Sequence, residues 1–173
     1  MPIIDVPKVK QAKTNWCWAA CCESFTGFYQ KKIKSQHEFL LLVGTGEFQG
    51  RLAEHAHGGT DRDLNSTAQP SEYAPLLKLI LGAELMIHIY VGNNSANRYG
   101  KDSIKKALDD SRIFILNAAN HSKVLCGYGP KPKGEEEGLY FMDPAVGMAT
   151  WESWDTYVAN STSMIWVKKG GLV

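Results

Sequence analysis

Apolar residues along this chain fall into blocks whose spacing changes from helical to strand-like partway through. From Trp18 to Tyr29 small or apolar residues (Ala19, Ala20, Cys22, Ser24, Phe25 and Phe28) run on without a proline. That pattern predicts a mostly buried helix, with Asn15 as its cap. Glu38 to Val43 is a second apolar segment, too short for its period to separate helix from strand. Tyr73, Leu76, Leu77, Ile80 and Leu81 recur at helical spacing and predict a helix over Glu72 to Leu81. Glu84 to Val91 reads as a strand that ends in the turn-forming Gly92-Asn93-Asn94. Asp102 to Ser111 is a short amphipathic helix, capped by Asp102 or Ser103, with Ile104, Ala107 and Leu108 inward. Arg112 to Ala118 and His121 to Tyr128 read as consecutive strands, and Leu139 to Met142 follows a polar hairpin loop over Pro130 to Gly138. Trp151 to Val158 reads as a helix, placing Trp151 and Trp154 in the core, and Ser163 to Val167 as the last strand.

Helices first and strands later is the order of an α+β fold. Residues 1–13, with two prolines and short apolar alternation, read as an extended arm. Residues 44–71 are rich in glycine and polar side chains and read as a long loop of the kind that serves a site. No repeat or low-complexity tract interrupts the chain. At 173 residues it is most economically a single domain, 1–173, with a helical lobe over about 14–82 and a sheet lobe over about 83–173.

Composition narrows the function classes. A hydrophobic fraction of 44% and a charged fraction of 21% are those of a globular protein. The net charge of +1 gives no reason to expect nucleic acid or an anionic membrane as partner. Lys31-Lys32-Ile33-Lys34 reads as a solvated helix end. No apolar run approaches the roughly 18 residues of a membrane span. The N-terminus lacks the basic and apolar regions of a secretory signal. Cys17, Cys21, Cys22 and Cys126 are not spaced as a disulfide framework, so a reducing compartment is expected. Glu54-His55-Ala56-His57 is the one metal-like cluster, but no second ligand pair is spaced to close a site. It reads as loop, with no metal or cofactor expected. Cys21, Cys22 and Cys126 read as core, and His37 and His88 as surface and sheet residues.

The chemistry concentrates around Gln11-Ala-Lys-Thr-Asn-Trp-Cys17-Trp-Ala-Ala20. A thiol at a helix N-terminus meets unpaired backbone N–H groups and the positive end of the macrodipole, both of which favour a thiolate. Gln11, six residues upstream, can aim an amide at the same place. A cysteine nucleophile also needs a base and a group that orients the base. His121 begins a strand, and Asp143 ends the following one, so antiparallel neighbours would bring carboxylate and imidazole together. The candidate set is Cys17, His121, Asp143 and Gln11.

Gln11 followed by Cys17-Trp18-Ala19 resembles the start of papain-like cysteine peptidases. His121-Ser-Lys-Val-Leu-Cys-Gly127-Tyr128-Gly129 resembles the histidine strand of that family, which ends in Gly-Tyr-Gly. Asp143-Pro144 with Gly147 is more similar to the bacterial branch, which includes the double-glycine peptidase domains of bacteriocin exporters and injected effector proteases. The resemblance covers roughly residues 8–30 and 112–167. It implies a papain-like fold with a helical lobe carrying the nucleophile and an antiparallel sheet lobe carrying His121 and Asp143. It further implies Cys17 as nucleophile, His121 as base, Asp143 as orienting residue, and Gln11 with the Cys17 backbone N–H as oxyanion donors. The chain departs from papain itself in three ways. Thr14-Asn15-Trp16 replaces Cys-Gly-Ser, aspartate replaces asparagine, and the interval from Cys17 to His121 is shorter than papain's roughly 130–150 residues.

These implications add up to an endopeptidase acting on a protein or peptide, with cleavage after small residues such as Gly-Gly. The short stretch ahead of Cys17 suggests an effector or toxin domain, delivered without a signal peptide and restrained by an immunity or inhibitor protein. It would act in reducing cytoplasm, including that of a target cell. Glutamine deamidation or transglutamination would use the same triad, and an inactive binding module would keep the same fold. Neither Gly58-Gly59 nor Gly170-Gly171 is read as a self-processing site.

Overall fold

The first helix is buried almost all round, and the rest of the fold is arranged on it. In this computed structural model the described residues are 3–29, 35–43, 68, 70–89, 100–118 and 120–168. Helix α1 spans Cys17–Phe28 and buries Trp18, Ala19, Ala20, Cys21, Cys22 and Phe25. A helix apolar on every side has to lie inside the molecule. Its polar members are satisfied locally, with Ser24 Oγ donating to the Pro7 carbonyl at 2.7 Å and Thr26 Oγ1 to the Cys22 carbonyl at 2.8 Å. Burying each large side chain, such as Trp18 or Phe25, contributes roughly 1.5–3 kcal/mol. Ala19 and Ala20 keep the facing surfaces close, so a leucine at either place would overpack the core at about 1–3 kcal/mol.

Helices α2 (Gln36–Val43) and α3 (Pro70–Leu81) flank α1. Trp18 stacks on Tyr73 of α3 with ring centroids 5.7 Å apart. The strands are β1 (Leu85–Ile89), β2 (Phe114–Ala118), β3 (Ser122–Pro130), β4 (Glu137–Asp143), β5 (Met148–Ser153) and β6 (Ser161–Val167). Among the described residues they form one six-stranded sheet in the order β1-β6-β2-β3-β4-β5, with every pair antiparallel. Alternation along each strand divides the side chains between two faces. Ile113, Ile115, Val124, Met142 and Ile165 pack toward α1. Phe114, Leu116, Leu125, Phe141 and Met164 face away, against helices α4 (Lys101–Asp109) and α5 (Trp154–Asn160). The result is an α+β fold, with the helices of the first half packed on a sheet built by the second.

The arm ahead of α1 is extended along the sheet. Between Leu125 and Gly127 the β3–β4 register slips, so Cys126 stands at a bulge. Its carbonyl there accepts from Ile4 N–H at 2.7 Å. An extra residue in one strand leaves a backbone group free of the ladder, and the arm uses it.

Several local expectations are corrected. Asn15 is not the cap of α1; Trp16 is, without a side-chain capping bond, because a turn closed by Trp16 N–H on the Lys13 carbonyl leads straight into the helix. Helix α4 starts one turn-edge earlier than Asp102 or Ser103 would allow, capped by Gly100, which leaves Asp102 in the first turn where the macrodipole favours it. Residues Trp151 to Ser153 are not helical. They pair with β4, Trp151 opposite Tyr140, and the helix begins only where Ser153 Oγ accepts from Thr156 N–H at 3.1 Å. Trp151 is accordingly partly exposed on the edge strand, while Trp154, at the start of α5, is partly buried against the core cluster around Tyr157. Cross-strand pairing with β4 overrode the helical spacing of the two tryptophans. The Lys31–Lys34 cluster, most of the 44–71 loop, the His55/His57 cluster, the turn at Gly92 and both glycine pairs lie outside the described residues. No described helix is long and apolar enough to cross a membrane.

Candidate active site

Cys17 is the first residue of α1, buried at its N-terminus, with no side chain capping the helix ahead of it. The early N–H groups of a helix have no intrahelical partner, so the thiol sits among donors. Its side chain is hydrogen-bonded to His121 and to Ser122. His121 immediately precedes β3, and its carbonyl accepts from Ala118 N–H at 2.8 Å, which fixes the backbone where β2 turns into β3. Asp143 ends β4. Because Val124 pairs with Met142, the start of β3 and the end of β4 lie side by side. His121 Nε2 and Asp143 Oδ1 are 2.8 Å apart there. With Nε2 engaged by the carboxylate, Nδ1 is the ring nitrogen left for the thiol. Asp143 Oδ1 also accepts the Ala145 N–H at 2.9 Å.

The electrostatics follow from these contacts. Burial pushes the Cys17 thiol up, but the His121 hydrogen bond, the Ser122 backbone N–H and the neighbouring imidazolium outweigh it and leave the thiol below its ordinary value. The Asp143 and Cys17 hydrogen bonds raise His121 to about 9 against the opposing effect of burial. Burial likewise opposes the ionisation of Asp143, yet the His121 and Ala145 donors and the Lys123 charge bring it down to about 2. A thiol lowered by an imidazole that is itself anchored by a carboxylate is a nucleophile whose ionisation is favoured beside a proton donor. The other thiols differ. Burial raises Cys21 and Cys22 well above the usual range and Cys126 to about 11.

Gln11 lies on the loop leading to α1, but its amide is not poised toward the thiol. Nε2 donates to the Lys13 and Thr14 carbonyls at 3.0 and 2.6 Å, and Oε1 is buried without a hydrogen-bond partner. Three of the four candidate residues, Cys17, His121 and Asp143, are therefore in contact, and the fourth stands beside them turned inward on its own loop.

Sequence reasoning missed several neighbours. Gln36 on α2 is buried and clamps the Gln11 loop. Its Oε1 accepts from Ala12 N–H at 2.8 Å and its Nε2 donates to the Lys10 carbonyl at 2.9 Å. Nothing in the sequence connects residues so far apart. Ser122 Oγ donates to Asn117 Oδ1 at 2.7 Å, and that oxygen also accepts from Tyr73 Oη at 2.8 Å. Lys123 Nζ lies 3.3 Å from Asp143 Oδ2 and is paired with Glu152 on β5. That neighbour was legible, since the sequence begins a strand at His121 and Lys123, two residues on, would share its face. Beside His121 a cleft of about 300 Å³ is lined by Leu116, Ala118, Lys123, Glu152 and Tyr157 among others.

Comparison with known proteins bears on the fold and the family. The fold is similar to the crystal structure of a double glycine motif protease from an AMS/PCAT transporter in complex with the leader peptide. The match has a TM-score of 0.50 at 16% identity, covering 94% of this chain and 91% of that one. No curated protein matches the sequence. The family model described as "Papain-like cysteine protease AvrRpt2" matches residues 2–162, nearly the whole chain. The chain thus belongs to the papain-like cysteine proteases of the AvrRpt2 family, and its activity is that of a cysteine peptidase.

Proposed function

We propose that the protein is an endopeptidase in which Cys17 is the nucleophile, His121 the acid and base, and Asp143 the orienting carboxylate. The observation that carries this reading is the unbroken run of contacts from the Cys17 thiol through His121 to Asp143. The Cys17 thiolate attacks the scissile carbonyl carbon, forming a C–S bond and placing the electron pair on the carbonyl oxygen. The Cys17 backbone N–H at the uncapped helix end and the Gln11 amide, once turned from the Lys13 and Thr14 carbonyls, stabilise that oxygen. His121 Nδ1 gives its proton to the leaving amine as the C–N bond breaks. Water, deprotonated by His121, then releases the acyl group as a carboxylic acid and restores the thiol. The whole chain acts as one catalytic domain, in which the helical part supplies the sulfur and the sheet part supplies the imidazole and carboxylate.

A polypeptide with small residues before the scissile bond is the preferred substrate in this reading. Its support is the double glycine motif protease among the structural relatives. The four cysteines are free thiols, which suits action in a reducing cytoplasm as an effector or toxin held in check by an immunity protein. The test is N-terminal proteomics of a lysate treated with wild type or Cys17→Ala, alongside expression of each in cells. New N-termini following small residues, and toxicity confined to the wild type, are expected. Equal cleavage by Cys17→Ala would overturn the nucleophile assignment. A mass gain on glutamine side chains without new termini would assign deamidation or transglutamination to the same triad.

A further inference from the structure

Beyond the triad, the far side of Asp143 carries a charged pair that the catalytic scheme does not use. Lys123 and Asp143 lie across from one another on β3 and β4, one step past the Val124–Met142 pair. Glu152 sits on β5 opposite Leu139, on the same face of the sheet. The Lys123 and Glu152 side chains are only 20% and 24% exposed and bonded to each other, and Asp143 is 13% exposed. The Lys123 ammonium also lies 5.8 Å from the centre of the Phe141 ring. Half-buried charges are kept only where each finds a partner. Here the partners form a line of alternating sign: Cys17, His121, Asp143, Lys123, Glu152.

We infer that Lys123 and Glu152 are positioning residues that set both the orientation of Asp143 and the strength with which His121 holds its proton. The inference rests on the triad reading above. Asp143 has two oxygens. Oδ1 takes His121 Nε2 and the Ala145 N–H, and Oδ2 takes Lys123 Nζ. Donors on both oxygens fix the plane of the carboxylate and stop it rotating away from the imidazole. A lysine at Oδ2 also offsets part of the negative charge that His121 feels, so the imidazolium gives up its proton to a leaving amine more readily. Glu152 in turn offsets part of Lys123. The titratable or charged groups facing this line among the described residues are Cys17 and Cys21 on α1, Lys123 on β3, Asp143 on β4, Glu152 on β5 and Tyr157 on α5. Burial keeps Cys21 neutral at working pH. Removing either member of the pair therefore changes the charge on His121's side in a defined direction.

The two directions are opposite, and a purely structural role would not produce that. Titration of the His121 ring proton by NMR in the full chain reads the effect without a substrate. Lys123→Met should move the midpoint above the wild-type value, by roughly half a pH unit or more. Glu152→Gln, which keeps a carbonyl for Lys123 but removes the charge, should move it below. Lys123→Arg should restore the wild-type midpoint. With a cleaved substrate in hand, Lys123→Met should lower kcat and leave KM nearly unchanged. If both variants shift the midpoint the same way, or neither does, the inference is wrong. If Lys123→Met fails to fold, an unshifted Glu152→Gln overturns it alone. The triad reading has its own arm: activity in Cys17→Ala sinks that reading whatever the titrations give, and inactivity with unshifted titrations sinks only the pair.

Discussion

Gln11 N–H donates to the Pro144 carbonyl at 2.9 Å, tying the loop that leads to the thiol to the turn that follows the carboxylate. Two segments more than a hundred positions apart are thereby joined at backbone level, next to the site they serve. The turn depends on Gly147, whose φ of +71° lies in the left-handed region. A Cβ there would also meet Lys10 Cβ at 2.8 Å. Gly147→Ala should therefore destabilise the protein by roughly 1–3 kcal/mol through backbone strain and the clash together. Activity should fall further than stability explains, because the arm carrying Gln11 is pushed off the turn. Denaturant midpoints measured alongside kcat check this. A variant with lost stability and unchanged kcat would show that the Gln11 loop does not need the turn.

The role of Gln11 can be separated from the role of its loop. Gln11→Ala should cost about 10²–10³ in kcat if the amide stabilises the oxyanion. Alkylation of Cys17 by iodoacetamide forms no oxyanion, so its rate should stay near wild type. Loss of both rates together would mean that the bonds from Nε2 to Lys13 and Thr14 serve only to hold the loop, and with it the thiol. Gln36→Ala is the complementary change, since it frees the Ala12 N–H and the Lys10 carbonyl while leaving the Gln11 side chain intact. It should lower stability by about 1–3 kcal/mol.

The ion pairs of the site also fix how stability depends on pH. His121 is raised from 6.5 to about 9 by folding, so its contribution is complete below pH 6.5 and is lost as pH rises through about 9. Asp143 is lowered from 3.8 to about 2, so its contribution is complete above pH 3.8 and is lost as pH falls through about 2. Thermal midpoints of wild type and Asp143→Asn should differ most between those limits and converge on either side. Activity should fall on the alkaline side near pH 9, where the imidazolium needed by the leaving amine disappears. In Asp143→Asn that alkaline limb should move down. A difference in thermal midpoint that stayed constant from pH 3 to 10 would mean the carboxylate contributes packing and not charge.

The helical half of the fold was legible because α1 and α3 carry long runs whose apolar spacing admits one period. Five of the six described strands were legible, β5 (Met148–Ser153) being missed, and Asp143 was legible as a neighbour of His121, because consecutive antiparallel strands place their adjoining ends together. The turn of β5 into α5 was not legible, since Trp151 and Trp154 have helical spacing although only Trp154 lies in the helix and Trp151 pairs with β4. Side-chain contacts between distant segments were less legible still. Gln36 and Gln11 meet only because α2 folds back on the arm, and Asn117 reaches Tyr73 only through the packing of α3 on the sheet. Such contacts leave no periodic trace in the sequence. Lys123 did leave one, but a lysine next to a candidate base reads first as a solvated strand residue.

The last of these hidden contacts makes a prediction about the nucleophile. Asn117 is buried, and its Oδ1 accepts from both Tyr73 Oη and Ser122 Oγ, while its Nδ2 donates to Ser163 Oγ at 3.1 Å. Ser122 is also hydrogen-bonded to the Cys17 side chain. A hydroxyl has one proton to give. With Cys17 protonated it goes to Asn117, whereas a thiolate competes for it, and Asn117 Oδ1 then keeps the Tyr73 donor so that no buried acceptor is orphaned. The network thus lets the sulfur ionise without stranding a partner. Ser122→Ala should raise the apparent pKa of Cys17, read as an alkaline shift in its alkylation profile, with a modest loss of stability. Asn117→Ala strands Tyr73 Oη and Ser163 in the core and should cost about 1–3 kcal/mol per lost partner, while Cys17 stays reactive in the molecules that remain folded. If Ser122→Ala leaves the alkylation profile of Cys17 unmoved, the serine belongs to the core network alone, and the thiolate is sustained by His121 and the helix end without it.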